Sequence, residues 1–148
     1  MSNIQTLIPK LGILTFDGVP INGFSADSTV EAERASDAFE KHVGTQGEVS
    51  RIKNADMSGH VTISLAQTSP SNDYLSAKAR MDELTANGIG LLTFVDLSGT
   101  IGQPTRFSGM AWVKKLPALE EGKTIKDRKW VFDVAYFDVW LAGNMPSL

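Results

Sequence analysis

Residues 58–88 read SGHVTISLAQTSPSNDYLSAKARMDELTANG, and they hold a strand signal and a helix signal in succession. Val61, Ile63 and Leu65 alternate with Thr62, Ser64 and Ala66. That period of two puts apolar side chains on one face of a strand and small or polar ones on the other. The period changes at Ser69-Pro70, which reads as an N-cap followed by proline at the first helical position, where a missing N–H costs nothing. Tyr74, Leu75, Lys78, Met81 and Leu84 or Thr85 then recur at helical spacing. Asn87-Gly88 is a stop signal. The stretch predicts one strand followed by one helix of about four turns, over 70–86.

Strand signals surround this core. Glu48 to Ile52 precedes it across a turn rich in Asn, Asp, Ser and Gly, and Leu91 to Leu97 follows as an apolar run closed by Ser98-Gly99. Arg106–Lys115 and Arg128–Leu141 read as two long strands joined by a charged loop, 116–128. A loop of that length without apolar periodicity is usually functional or mobile. Near the start, Gly12–Phe16 is a strand with Asp17-Gly18 as a hairpin turn. Thr29–Arg34 and Asp37–Val43 read as a second hairpin about Ala35-Ser36. The expected fold class is mainly β (α+β): an antiparallel β-sandwich or barrel of seven or eight strands with one flanking helix at about 70–86.

Composition narrows the function classes. The chain has 148 residues, no Cys, two His, 13 Gly and a formal charge of −3. The absence of cysteine excludes a disulfide framework, thiolate metal sites and a cysteine nucleophile. A mildly acidic chain is a poor candidate for a broad phosphate-gripping face. Residues 1–10, MSNIQTLIPK, lack the basic and apolar regions of a secretory signal. No stretch reaches the ~20 apolar residues of a membrane span, so no membrane binding is expected. Without a repeat or a dividing linker, 1–148 reads as one domain, with an N-terminal arm at about 1–10 and a C-terminal tail at about 141–148. Charge is uneven: residues 1–47 carry six acids and three bases, whereas 88–148 carry six acids and seven bases.

No catalytic or metal pattern emerges, and no cofactor is implied. His42 and His60 stand outside any HxH or HExxH context. Gly44-Thr45-Gln46-Gly47 shares only its glycines with a phosphate loop, lacking the Lys-Ser/Thr pair. Asp96 and Asp133 sit inside apolar strands and would form a catalytic pair only if a cleft united them. The bases between Lys114 and Lys129 have few aromatics among them, and Trp112 and Trp130 fit a core better than a stacking platform. Trp140 leads into an apolar tail with Leu141, Met145 and Leu148.

One pattern departs from a plain wet sheet. The faces Thr29, Glu31, Glu33 and Thr62, Ser64, Ala66 are made of acidic or short side chains. Alternation alone leaves two readings open, the solvated side of an antiparallel sheet or the wall of an aqueous channel.

A resemblance enters here. Gly47-Glu48-Val49, Ser58-Gly59-His60-Val61-Thr62-Ile63-Ser64-Leu65, Thr68-Ser69-Pro70-Ser71-Asn72 and Leu75-Ser76-Ala77 together resemble the tail tube proteins of long-tailed bacteriophages. Phe24-Ser25 to Glu33 resembles that family's acidic strand, and Trp130-Val131-Phe132-Asp133 its final strand. The likeness spans about residues 11–141. It implies a non-enzymatic structural subunit of the virion tail, assembled in the host cytoplasm. Six copies would form a ring, and rings would stack into a tube through which DNA passes without specific binding. It further implies a contractile sheath around the tube, and baseplate and terminator proteins at its ends.

On that reading Glu31, Glu33, Asp37, Glu40, Thr62 and Ser64 are expected to line the lumen. Subunit contacts are expected from the arm through Ile4 and Leu7. The end of the Arg106–Lys115 strand and the charged loop would add Lys114, Lys115, Glu120, Glu121, Lys123 and Lys126, and the tail Trp140 and Met145. Two alternatives stand beside it. One is a needle tube of a contractile injection or secretion system. The other is a small acid-dependent hydrolase or lyase using Asp96 and Asp133, which predicts a monomer with a closed pocket.

Overall fold

The computed structural model describes residues 12–23, 30–96, 105–120, 122, 124 and 126–141. The strands are β1 (Gly12–Phe16), β2 (Val19–Pro20), β3 (Val30–Arg34), β4 (Phe39–Val43), β5 (Val49–Lys53) and β6 (Gly59–Leu65) before the helix α1 (Ser71–Thr85). After it come β7 (Gly90–Asp96), β8 (Thr105–Lys115), β9 (Arg128–Val134) and β10 (Asp138–Trp140). The fold is mainly β with one helix, as the periodicities predict.

Eight strands make one antiparallel sheet in the order β2-β1-β7-β8-β9-β6-β3, with β10 also on β8. Three strand spacings of ~4.8 Å separate β1 from β9 in that order. Yet the rings of Phe16 on β1 and Phe132 on β9 meet edge-on at 5.2 Å between centroids. The sheet therefore curls over itself and traps its core inside. It does not close: among the described residues β2 and β3, at the two ends of the order, do not pair with each other, so the barrel alternative is replaced by an open, curled sheet.

Alternation decides what is inside. Val61, Ile63 and Leu65 of β6 and Trp130, Phe132 and Val134 of β9 are buried together with Leu14, Phe16, Leu92 and Phe107. The helix closes the core through Ser71, Leu75 and Ala79, a stripe at four-residue spacing. Met81 and Leu84, expected on the apolar stripe, are exposed instead. Polar contacts help to fasten α1. Trp130 Nε1–H donates to Asn72 Oδ1 at 2.9 Å, the Tyr74 hydroxyl to the Phe16 carbonyl at 2.9 Å, and Lys78 Nζ to Asp17 Oδ2 at 2.6 Å. At its start Pro70 already has helical angles (φ −65°, ψ −19°), and Ser69 Oγ accepts the Ser71 N–H at 3.2 Å. The helix stops at Ala86 in the left-handed region (φ 60°), before the expected Asn87-Gly88.

Two strand expectations are corrected. Residues 128–141 do not form one uninterrupted strand. β9 pairs β8 with Val134 opposite Ala111, and β10 pairs the same edge with Asp138 opposite Ser108. The extra residue falls in Ala135–Phe137, a bulge at which Phe137 turns into the core and donates its N–H to the Met57 carbonyl at 2.7 Å. Nor is there a hairpin about Ala35-Ser36. β3 pairs β6, β4 pairs β5, and the chain reverses at Gly44–Gly47. Gly47 there has φ +86°, a conformation that favours glycine. Residues 30–65 are thus one long ribbon, interrupted where four residues on one side (35–38) face five on the other (54–58). Ala35 and Asp37 mark that interruption, not a turn.

Candidate functional site

The register brings four of the six expected lumen residues together. Glu31 lies opposite Thr62 and Glu33 opposite His60, and Ser64 follows Thr62 two residues along β6. Their faces oppose the buried Val61, Ile63 and Leu65, so Glu31, Glu33, Thr62 and Ser64 share the outer surface of the sheet. Asp37 lies in the interruption and Glu40 on β4, in the separate two-stranded sheet. The register does not place these two on the face.

The same face continues onto β9, which the sequence reading did not assign. Lys129 stands opposite Ser64, Val131 opposite Thr62 and Asp133 opposite His60. Alternation with the buried Trp130, Phe132 and Val134 puts Lys129, Val131 and Asp133 on the outer face of β9, but the sequence does not say that β9 lies beside β6. His60 is the hub of a polar row. Its Nε2 is 2.7 Å from Glu33 Oε1, and Asp133 on its other side has Lys114 Nζ at 3.9 Å. Such exposed pairs each contribute about 0–1 kcal/mol. They order the face more than they stabilise the fold.

The edge strand β3 carries this face to the limit of the sheet. Its inner edge is taken by β6, and among the described residues its outer edge has no strand partner. An open depression of about 590 Å³ lies over it, lined by Val30, Glu31, Ala32, Glu33, His60 and Thr62. Gly59, where β6 begins, is packed tightly: a Cβ there would lie 2.7 Å from the Glu33 carbonyl oxygen and 2.9 Å from the Phe137 ring.

The base of the ribbon is locked by Asp56. Its Oδ1 accepts the Ser58 hydroxyl at 2.6 Å and the Ser58 N–H at 3.0 Å, and its Oδ2 accepts the Ser36 hydroxyl at 2.7 Å. The Ser58 hydroxyl first, then the Ser36 hydroxyl and the Ser58 N–H, hold this carboxyl down at about 2, from 3.8. Beside it, Arg34 reaches the Phe137 carbonyl at 3.1 Å. These contacts tie both sides of the interruption to the sheet.

The acid pair of the hydrolase alternative is not brought together. Asp96 is opposite Thr105 at one end of β8, and Asp133 is opposite Trp112. Seven residues at ~3.3 Å each separate those rungs by about 23 Å. Among the described residues no group of three or more His, Cys, Asp or Glu could hold a metal ion.

Of the expected subunit contacts, Lys114, Lys115, Glu120 and Lys126 are exposed. The Lys126 N–H is held by Gln67 Oε1 at 3.1 Å, which fastens the end of the charged loop to the turn before α1. Trp140 is half-exposed, with the Arg106 guanidinium 5.7 Å from its ring. Ile4, Leu7, Glu121, Lys123 and Met145 lie outside the described residues.

Residues 16–142 match the family model of the bacteriophage PhiTE tail tube protein. The chain is 31% identical over 124 residues to "Structural protein ORF10" of Pseudomonas phage KPP10, covering 84% of this chain and 71% of that protein. Among solved structures, it superposes on the tube-terminating cap of the anti-feeding prophage with a TM-score of 0.63 at 10% identity, covering 96% of this chain and 95% of that one. The sheath/tube terminator of the extracellular contractile injection system PVC gives a TM-score of 0.64 at 9% identity, covering 95% and 100%. The PVC sheath–tube complex gives 0.56 at 9%, covering 87% of each chain. At such identities these likenesses establish a shared fold. The family match and the phage relative establish more: this chain belongs to the PhiTE-type bacteriophage tail tube proteins, a structural family and not an enzymatic one.

Proposed function

We propose that this protein is the repeating subunit of a phage tail tube, in which six copies close into a ring and rings stack around a bore lined by Glu31, Glu33, Thr62 and Ser64. The observation that carries this reading is the edge strand β3, whose acidic outer face is continuous with the small polar face of β6. Joining that edge to a neighbour extends the face around a ring and removes a strand edge that would otherwise invite uncontrolled pairing. Carboxylates on the wall repel DNA phosphates at short range, over the ~8 Å that physiological salt leaves unscreened. DNA then passes without being held. The charged loop, the segment before β1 and the segment after β10 supply further contacts between copies. A contractile sheath surrounds the tube, and terminator and baseplate proteins cap it, within the virion tail.

Electron microscopy of the concentrated full-length protein tests this. Rings or filaments with a central hole are expected, and featureless small particles would overturn the reading. The double charge reversal E31K/E33K sharpens it: tubes still assemble and DNA ejection slows. Unchanged ejection through assembled tubes would remove both acids from the bore. A second reading, a tube of a contractile injection system carrying a different cargo, is favoured by the fold shared with such assemblies. Capsid, portal and terminase genes beside this one would decide for the phage.

A further inference from the structure

The β4–β5 ribbon stands apart from the main sheet and has two chemically opposite faces. Residues directly opposite in an antiparallel pair share a face. The register sets Phe39 against Lys53, Lys41 against Arg51 and Val43 against Val49 on one side. Glu40 against Ile52 and His42 against Ser50 make the other side. The Arg51 guanidinium lies 4.2 Å over the Phe39 ring, as residues of one face should. Glu48 belongs to the second face, where its side chain lies across the bare Cα of Gly44. The first face therefore carries Lys41, Arg51 and Lys53 with no acid. The second carries Glu40 and Glu48 with no Lys or Arg.

All ten strand residues are exposed, and none of these five charges has an ion-pair partner among the described residues. Lys41 and Arg51 are directly opposed, an arrangement that destabilises an isolated ribbon. Phe39, Val43 and Val49 on the basic face, and Ile52 on the acidic face, are large apolar side chains left in water. Each face thus lacks what the other offers.

We propose that this ribbon is a self-docking arm: the Lys41/Arg51/Lys53 face of one copy seats on the Glu40/Glu48 face of the next copy's arm. This rests on the ring reading above and names its contact. A face-to-opposite-face contact is heterologous, so it leaves one face of each kind free at every step and repeats around a closed ring. A two-fold contact would press three cations against three cations, or acids against acids. The apolar side chains of the two faces meet in the same contact.

Charge reversal in the full chain tests it. K41E/R51E turns the basic face acidic, leaving acids on both sides, and E40K/E48K turns the acidic face basic, leaving cations on both sides. Each variant alone is expected to raise the concentration needed for ring formation at least tenfold, with an unchanged melting temperature. Mixed in equal amounts, the two are expected to assemble near the wild-type concentration, with equal numbers of each in every ring by native mass spectrometry. Assembly of either variant alone at the wild-type concentration, or a mixture no better than its components, would overturn the arm contact while leaving the ring reading standing. Wild-type protein that forms no rings would overturn both. A 30-base-pair DNA duplex is the control ligand. If wild type binds it, K41E/R51E does not, and both assemble equally, the basic face is a DNA surface and the proposal is wrong.

Discussion

The curled sheet and the β4–β5 arm are written in the same alternating pattern and end in opposite states. On β6, Val61, Ile63 and Leu65 are 0% exposed and lie in the core. On the arm, Phe39 is 45% exposed and Val49 65%, and among the described residues no second layer lies above either face. The difference lies in what covers the face. β6 has β9 and β3 beside it and the folded-over half of the sheet above it, whereas among the described residues β4 has only β5. A two-stranded ribbon alone is at best marginally stable in water. The sheet therefore carries its own core, whereas on the self-docking proposal the arm is completed by its attachment at Asp56 and by a neighbouring copy.

That contrast can be broken or sharpened by substitution. The largest effect is expected in the sheet. Trp130→Ala removes a 2%-exposed side chain from the centre of the core and should cost about 3–5 kcal/mol in denaturant unfolding. A cost below 1 kcal/mol would mean the curl is not held by this core. Next is Asn72→Ala, which leaves the Trp130 N–H without its partner and takes one of two donors from the Ala66 carbonyl, which keeps the Ser69 N–H. About 1–3 kcal/mol should be lost, and Asn72→Asp should recover part of it because its carboxylate still accepts the indole N–H.

A smaller and pH-dependent effect belongs to the junction. Asp56 is more acidic in the fold than its usual 3.8, so it stabilises the fold fully above about pH 4 and loses that contribution as pH falls through about 2. Compared with Asp56→Asn, the wild type should protect the arm amides from hydrogen exchange better above pH 4. The gap should close between pH 4 and pH 2, and a gap that stays constant would contradict the cause assigned to the shift. The smallest stability effect is expected at the arm itself. Phe39→Ser with Val49→Ser should leave the monomer's unfolding free energy within about 0.5 kcal/mol. A core-sized loss would show that the arm packs on the sheet after all.

What could be read from the sequence follows the same division. Alternation with large apolar residues, as at Val61-Ile63-Leu65 and Trp130-Phe132-Val134, located the buried strands, and Ser69-Pro70 located the helix start. Pairing was less legible, because period two says which residues share a face and nothing about which strand lies alongside. Ala35-Ser36 has the small polar composition of a turn. The Asp56 contacts to Ser36 and Ser58, with backbone bonds from Ala35 to Ser58 and from Asn54 to Ala38, hold it as an interruption within a ribbon whose turn is eleven residues further on, near Gly47. Met81 and Leu84 kept helical spacing and are exposed, since a helix on the rim of a sheet buries a narrow stripe only. For the candidate face, Glu31, Glu33, Thr62 and Ser64 were legible from parity. Lys129 and Asp133 were not, because their membership depends on β9 lying beside β6.

On the proposed assembly, the Glu31/Glu33 face of β3 and β6 is the wall of a bore built by several copies. A cryo-EM reconstruction of tubes assembled from the full-length protein tests it most directly. The expected result is a hollow tube with Glu31 and Glu33 of every copy pointing at the axis and β3 against a neighbouring copy. A tube in which that face is turned outward, or covered by a neighbour, would contradict it.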